Sequence, residues 1–196
     1  MSIHNTEFLR DPVGFLGSKA IAFSSVGAQS GLNRWVLEAE GDIPPIMLRI
    51  AKESDKDTFP AYYLPYQTNS SCQIQLGDQA SFMFTPPLTG CTFVIDKKWF
   101  TPMVAHYNYQ TEKGDIDQDQ INQNVRSDFG PATSGKIFVS ANYYPVTKSD
   151  YVPEDEDAQN HRLYVVGVRG KTGWTMYRMK HDPFSGEIKE APSKIN

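Results

Sequence analysis

Cys91 and His106 are the residues of this 196-residue chain best suited to nucleophilic chemistry. A thiolate is a strong nucleophile, and an imidazole within hydrogen-bonding reach can take the proton of the thiol. Cys91 follows Pro86, Pro87 and Gly90, which turn the chain between two strands. A cysteine after such a turn can point its sulfur into a cleft, where nearby backbone N–H groups can face a developing oxyanion.

The spacing of the pair predicts that its members lie on neighbouring strands. Cys91–Asp96 and Met103–Tyr107 are rich in β-branched and aromatic residues, and a turn near Lys97–Phe100 joins them. A hairpin centred on that turn places Cys91 directly opposite His106. Opposite residues share a face, with Cβ atoms about 4.5–5.5 Å apart. A register slip of one residue would turn one side chain to the other face.

Other catalytic and metal-binding patterns are absent from the sequence. The histidines have no HxH or HxxxH spacing, there is no CxxC, and there is no phosphate-binding loop or GxSxG motif. Paired carboxylates lie in polar segments that offer no apolar setting to raise a pKa. We therefore expect neither a metal ion nor an organic cofactor. The histidines are His4, His106, His161 and His181.

Composition and charge exclude several classes of protein. The net charge is −4 and the pI is about 5.5, which argues against a nucleic-acid binder. The longest apolar runs are about six to eight residues, well short of the roughly 18 that span a bilayer. No secretory signal is visible, so we expect a reducing compartment. Cys72 is interpreted as a packing residue, and a Cys72–Cys91 disulfide is the less favoured alternative.

The pattern of aromatic, β-branched and turn residues predicts a single β-rich α+β domain over residues 1–196, with two packed sheets and peripheral helices. Asp115–Arg126 is the best helix candidate, because acids crowd its start and Gly130 follows it. Asp150–Asp157 is interpreted as a solvated acidic loop and Glu190–Asn196 as a frayed end. About ten short strands are expected; the segments most typical of strands are Ile46–Ala51, Ser81–Phe84, Cys91–Asp96, Met103–Tyr107, Lys136–Tyr144, Arg162–Arg169 and Trp174–Met179.

The segment Leu88-Thr89-Gly90-Cys91, with His106 downstream, resembles the Leu-Ser-Gly-Cys signature of a family of bacterial toxin glutamine deamidases. That family comprises the Burkholderia lethal factor and the catalytic domain of cytotoxic necrotizing factor. Thr89 stands where the family has serine. Thr85 occupies the offset of a threonine that completes the site in the lethal-factor branch and in related chemotaxis deamidases. The resemblance covers about half the chain, and it implies a sandwich of two mixed β-sheets surrounded by a few helices and loops.

The resemblance implies a hydrolase that converts a glutamine of a host protein to glutamate. Cys91 would be the nucleophile, His106 the proton carrier and Thr85 the residue that holds the imidazole, while Leu88–Gly90 would support the motif and the oxyanion. The implied target is a translation-initiation helicase of the 4A type or, less favoured by chain length, a Rho-family GTPase. We accordingly expect a monomeric virulence factor made in the bacterial cytoplasm, acting without a cofactor in the reducing host cytosol after delivery.

Two other interpretations stay open. Another Cys–His acyl-transfer enzyme, such as a protease, an amidase or a transglutaminase, would use the same pair of residues. A β-rich binding module without chemistry would instead use exposed aromatic side chains. The aromatic residues that support this second alternative are Tyr62, Tyr63, Tyr66, Tyr107, Tyr109, Tyr143 and Tyr144.

Overall fold

The computed structural model describes residues 3–39, 46–130, 143–153, 162–182, 185 and 187–196. Over these residues it has three α-helices, a short 3₁₀ turn at Lys148–Asp150 and twelve strands in two sheets. The helices are α1 (Ile3–Arg10), α2 (Pro12–Ser18) and α3 (Gln118–Phe129). The strands are β1 (Ile21–Ser24), β2 (Gly31–Glu38), β3 (Ile46–Ile50), β4 (Phe59–Tyr63), β5 (Ser70–Gln75), β6 (Phe82–Phe84), β7 (Thr92–Asp96), β8 (Met103–Asn108), β9 (Tyr143–Val146), β10 (Leu163–Gly170), β11 (Gly173–His181) and β12 (Ile188–Lys194).

The larger sheet is mixed and has eight strands in the order β1-β3-β2-β4-β6-β10-β11-β12. The pairs β1–β3 and β4–β6 are parallel, and the other neighbours are antiparallel. Successive residues of β10 alternate between two hydrophobic clusters, because side chains of a strand point to opposite faces. The larger sheet is therefore covered on both faces.

The smaller sheet has four antiparallel strands in the order β5-β8-β7-β9. One face packs against α3, through Ile121 and Val125. The other face packs against the larger sheet, in a cluster that includes Phe93 and Val104 from the smaller sheet and Met83 from the larger one. The two sheets thus form a sandwich with a shared apolar interior.

Helices α1 and α2 cover the outer face of the larger sheet. Phe8 and Phe15 pack edge to face and join a cluster that contains Trp35 and Phe84. The side chain of Asp11 caps α2 by accepting the Gly14 N–H at 3.0 Å. In the described ranges, no helix is both long enough and apolar enough to cross a membrane.

The predicted fold class is confirmed: the chain is β-rich α+β, with two sheets and three helices over the described residues. The smaller sheet is antiparallel throughout, whereas two mixed sheets were expected. Helix α3 begins at Gln118, later than predicted, because the Asp117 side chain accepts the Gln120 N–H and caps the helix. Helices α1 and α2 were not predicted.

The interpretation of the C-terminal segment as frayed was wrong. Residues of β12 pair with β11, as in Tyr177 with Lys194. A strand at the edge of a sheet needs only backbone pairing, so a polar sequence that contains Pro192 is compatible with it. The predicted strand Lys136–Tyr144 lies mostly outside the described residues, although β9 begins at Tyr143.

We predict that replacing Gly167 by alanine destabilises the pairing of β6 with β10. A Cβ atom at Gly167 would lie 3.0 Å from Met83 Cβ and 2.9 Å from Met176 Sδ. Such overpacking should lower the free energy of unfolding by about 1–3 kcal/mol in urea titrations. Gly170→Ala is the control, because its nearest neighbour, the Gly173 carbonyl oxygen, is 4.0 Å away. Equal stability of the two variants would contradict this packing.

Candidate active site

Thr85 and His106 meet between the two sheets. Thr85 directly follows β6 of the larger sheet, and His106 lies in β8 of the smaller one. The Thr85 Oγ1 and His106 Nδ1 atoms are 2.9 Å apart, and both residues are 1% exposed. The contact is a buried hydrogen bond that fixes the plane of the imidazole ring.

The segment between Thr85 and Cys91 crosses from one sheet to the other. Leu88 holds it to the larger sheet, through hydrogen bonds of 2.7 and 3.1 Å between its backbone and that of Leu163. Gly90 has a φ of 108°, a conformation that residues with a Cβ atom rarely adopt. Cys91 follows this turn and is the last residue before β7. It is buried, with 4% of its surface exposed.

Tyr151 closes the turn with two hydrogen bonds. Its hydroxyl accepts the Gly90 N–H at 2.7 Å and donates to the Cys91 carbonyl oxygen at 2.9 Å. Tyr151 and Val152 are buried, so the interpretation of Asp150–Asp157 as a solvated loop was wrong for these two residues, whereas Asp150 and Pro153 are exposed as expected. Residues 154–157 lie outside the described residues. The Gly90 N–H is already bonded and is not available to an oxyanion in this conformation.

A sequence signal for Tyr151 was present. Thr147 and Asp150 form a reciprocal capping pair, in which the Asp150 carboxylate accepts the Thr147 N–H at 2.7 Å. The pair ends β9 and starts the 3₁₀ turn that carries Tyr151 inward. A threonine with an acid three residues later is a known helix-start pattern. The acidic composition of the segment obscured it.

The predicted register of the β7–β8 hairpin was wrong by two residues. Phe93, not Cys91, stands opposite His106. The connection is wider than a tight turn because the Trp99 carbonyl oxygen accepts the Trp174 N–H at 2.7 Å, which holds the loop against β11. A shift of two residues keeps the same face toward the interior, so Cys91 is diagonal to His106.

Cys72 stands directly opposite His106 in β5, which pairs with the edge of β8 that faces away from β7. It is half-buried and packs against the interior cluster, in agreement with its interpretation as a packing residue. Both cysteines are free. Strands β5 and β7 flank β8, so two strand spacings of about 4.8 Å separate them, which exceeds the reach of a disulfide.

Burial sets the charge state of the site. It raises the pKa of the Cys91 thiol to about 11, and the N–H groups of Thr89 and Cys91 near the sulfur offset this only in part. It lowers the pKa of His106 to about 3. Both groups are therefore neutral at pH 7. In this resting state the imidazole has therefore not taken the proton of the thiol.

His106 Nε2 is buried and has no hydrogen-bond partner in the described part of the chain. A ring protonated at Nδ1 donates to the Thr85 hydroxyl and leaves a bare lone pair on Nε2. A buried acceptor without a partner is costly and is often found at functional sites. Nε2 is thus the atom of the site that is free to take a proton.

Among the described residues, no group of three or more His, Cys, Asp or Glu side chains is arranged to hold a metal ion. The aromatic residues that supported a binding module are also mostly internal: Tyr62, Tyr63, Tyr107 and Tyr143 are buried, whereas Tyr66 is exposed.

No protein-family model matches the sequence, and no curated protein matches it.

We predict that Tyr151→Phe lowers the free energy of unfolding by about 1–3 kcal/mol, because the buried Gly90 N–H loses its acceptor. The matched control is Tyr143→Phe, since the Tyr143 hydroxyl is buried and unpartnered within the described residues. Its removal should cost little or stabilise. Urea titrations of both variants measure the difference, and a larger loss for Tyr143→Phe would refute the role of the Tyr151 hydroxyl.

Burial of neutral His106 also predicts acid sensitivity. Between its ordinary pKa of 6.5 and the lowered value of about 3, the unfolded chain binds a proton that folded His106 does not. The stability contributed by the neutral ring is present above pH 6.5 and is lost as the pH falls toward 3. Urea titrations from pH 7 to 4.5 should show a shallower decline for His106→Gln than for the wild type. Parallel curves would contradict the lowered pKa.

Proposed function

We propose that the protein is a glutamine deamidase that acts on a host protein by a Cys–His thioester mechanism. The observation that supports it most is the buried Thr85–His106 hydrogen bond, which leaves Nε2 without a partner among the described residues, on the face that Cys91 shares. A nucleophile, a proton acceptor and a residue that orients the acceptor are the parts that such chemistry requires. The motif around Cys91 supports the assignment of substrate class.

In the first half-reaction, Cys91 Sγ attacks the carbon of the glutamine carboxamide while His106 Nε2 takes the thiol proton. Because both groups rest in the neutral state, proton transfer accompanies the attack. The backbone N–H of Cys91 stabilises the negative oxygen of the tetrahedral intermediate. The imidazolium then returns its proton to the leaving nitrogen, the C–N bond breaks, and ammonia departs from the thioester.

The second half-reaction restores the enzyme. His106 Nε2 removes a proton from a water molecule, whose oxygen attacks the thioester carbon. The C–S bond breaks and the sulfur recovers its proton from the imidazolium. The sum is glutamine plus water giving glutamate plus ammonia, with no redox change and no cofactor. Thr85 keeps the same ring nitrogen directed at the reacting atoms in both halves.

The recessed position of Cys91 favours a side-chain substrate over a main-chain one. The cysteine is 4% exposed and His106 is 1% exposed, so in the described part of the chain the pair lies below the surface, out of reach of a protein backbone in this conformation. A slender carboxamide on a flexible side chain fits such a site better than a peptide bond held in a groove. This favours a deamidase over a protease. A transglutaminase would pass the same thioester to an amine in place of water.

The product carries a negative charge where a neutral amide stood. At a glutamine that orients water or contacts a nucleotide, that charge would disable turnover. The target classes proposed on the motif are a translation-initiation helicase of the 4A type and, second, a Rho-family GTPase. Modification of the helicase would inhibit translation. We propose the reducing host cytosol as the place of action.

We predict that Cys91→Ser and His106→Ala each lower the rate of glutamine-to-glutamate conversion in host-cell lysate by about a thousandfold or more. Thr85→Val should retain activity at about a tenth, because one orienting hydrogen bond is lost. Cys72→Ser is the matched control and should convert at the wild-type rate. Peptide mass spectrometry measures each rate. Undiminished conversion by Cys91→Ser would contradict the assignment of Cys91 as the nucleophile. If an added primary amine appears on the glutamine, the enzyme is a transglutaminase.

A further inference from the structure

The reacting groups are closed off from solvent beneath an exposed aromatic side chain. The ring centroids of Tyr66 and His106 are 5.9 Å apart, with an interplanar angle of 49°. Tyr66 is 48% exposed, whereas His106 is almost fully buried. Of the ring contacts recorded for the described residues, this is the one that reaches His106. Tyr66 is thus accessible to solvent and in contact with the imidazole at the same time.

The loop that carries Tyr66, residues 64–69, is anchored at both ends beside the site. At its start, the Leu64 N–H donates to the Phe84 carbonyl oxygen at 2.9 Å, next to Thr85. At its end, the Asn69 side chain accepts the Gln110 N–H at 2.9 Å, just beyond β8. The loop therefore runs from the larger sheet to the smaller one directly over the imidazole.

The Tyr66 hydroxyl makes its hydrogen bond within the loop, to Thr68 Oγ1 at 3.0 Å. It does not reach His106, which is contacted by the ring. The ring rather than the hydroxyl is thus the part of Tyr66 that matters to the site. An exposed aromatic ring beside the buried imidazole offers an apolar wall to a side chain that enters the site from solvent.

We propose that Tyr66 is a specificity-determining residue, which forms the wall of the substrate entrance and packs on the methylene groups of the incoming glutamine. This inference rests on the proposed deamidase function. The substrate it selects is a glutamine on an exposed segment, because the carboxamide must pass the ring to reach Cys91. Asparagine is shorter by one methylene and would hold its carboxamide short of the sulfur. A difference of one methylene corresponds to about 10- to 200-fold in rate.

Two assays on Tyr66→Ala, Tyr66→Phe and Phe100→Ala test this role. Phe100 is the matched control, since it is exposed and lies in the loop at the opposite end of the β7–β8 hairpin. The first assay follows alkylation of Cys91 by iodoacetamide, with peptide mapping to separate it from Cys72. The second follows conversion of individual glutamines and asparagines in host-cell lysate, with the Cys91→Ser protein as the blank. A thermal midpoint is recorded for each variant to confirm that it is folded.

Removal of the ring should move the two assays in opposite directions. In folded Tyr66→Ala we expect alkylation of Cys91 to rise about tenfold, as the thiol becomes accessible. Conversion of glutamine should fall about 10- to 200-fold, as the methylene contacts are lost. Tyr66→Phe and Phe100→Ala should match the wild type in both assays, and the wild type should convert asparagine about 10- to 200-fold more slowly than glutamine.

The alkylation assay does not depend on the proposed reaction, so the two ideas fail separately. If wild type converts glutamine and Tyr66→Ala converts it equally fast, the role of Tyr66 is overturned and the deamidase function stands. Unchanged alkylation of Cys91 in Tyr66→Ala also overturns the role. If alkylation accelerates as expected but the wild type converts no glutamine, the deamidase function fails, and with it the selection of glutamine by Tyr66.

Discussion

A hydrogen bond between Thr85 and His106 connects the two sheets in the part of the molecule where the proposed chemistry occurs. Both partners are buried, so loss of either would leave the other unsatisfied at a cost of about 1–3 kcal/mol. The same burial that makes the bond necessary lowers the pKa of His106 and keeps the imidazole neutral, so that the lone pair of Nε2 can accept a proton during the reaction. The placement of β6 beside β4 and of β8 between β5 and β7 holds the two ends of this bond.

The sequence allowed the fold class and the main strands to be predicted, because β-branched and aromatic runs bounded by glycine and proline are strong local signals. The resemblance to the deamidase motif also implied that Thr85 holds the imidazole, and the two side chains are indeed hydrogen-bonded. Their catalytic roles stay predictions. The glycine of the motif has a backbone reason as well, since Gly90 adopts a positive φ.

The features that escaped prediction depend on contacts distant in sequence. The hairpin register differs from the predicted one because the loop after β7 is hydrogen-bonded to the backbone of Trp174, a contact that no local pattern reveals. Tyr151 reaches Cys91 across 60 residues, from a segment whose acidic composition pointed to solvent. The pKa of Cys91 depends on how deeply the turn is buried, which the spacing of Cys91 and His106 does not reveal. Tertiary context decided each of these points.

Capture of the covalent intermediate tests the central claim most directly. The protein would be mixed with host-cell lysate, quenched in acid within the first turnover, digested at low pH and analysed by mass spectrometry. The mechanism predicts a substrate peptide joined through its former glutamine to the peptide that contains Cys91, by a thioester that hydroxylamine releases. Conversion of glutamine to glutamate without an adduct on Cys91, or with the adduct on Cys72 instead, would contradict it.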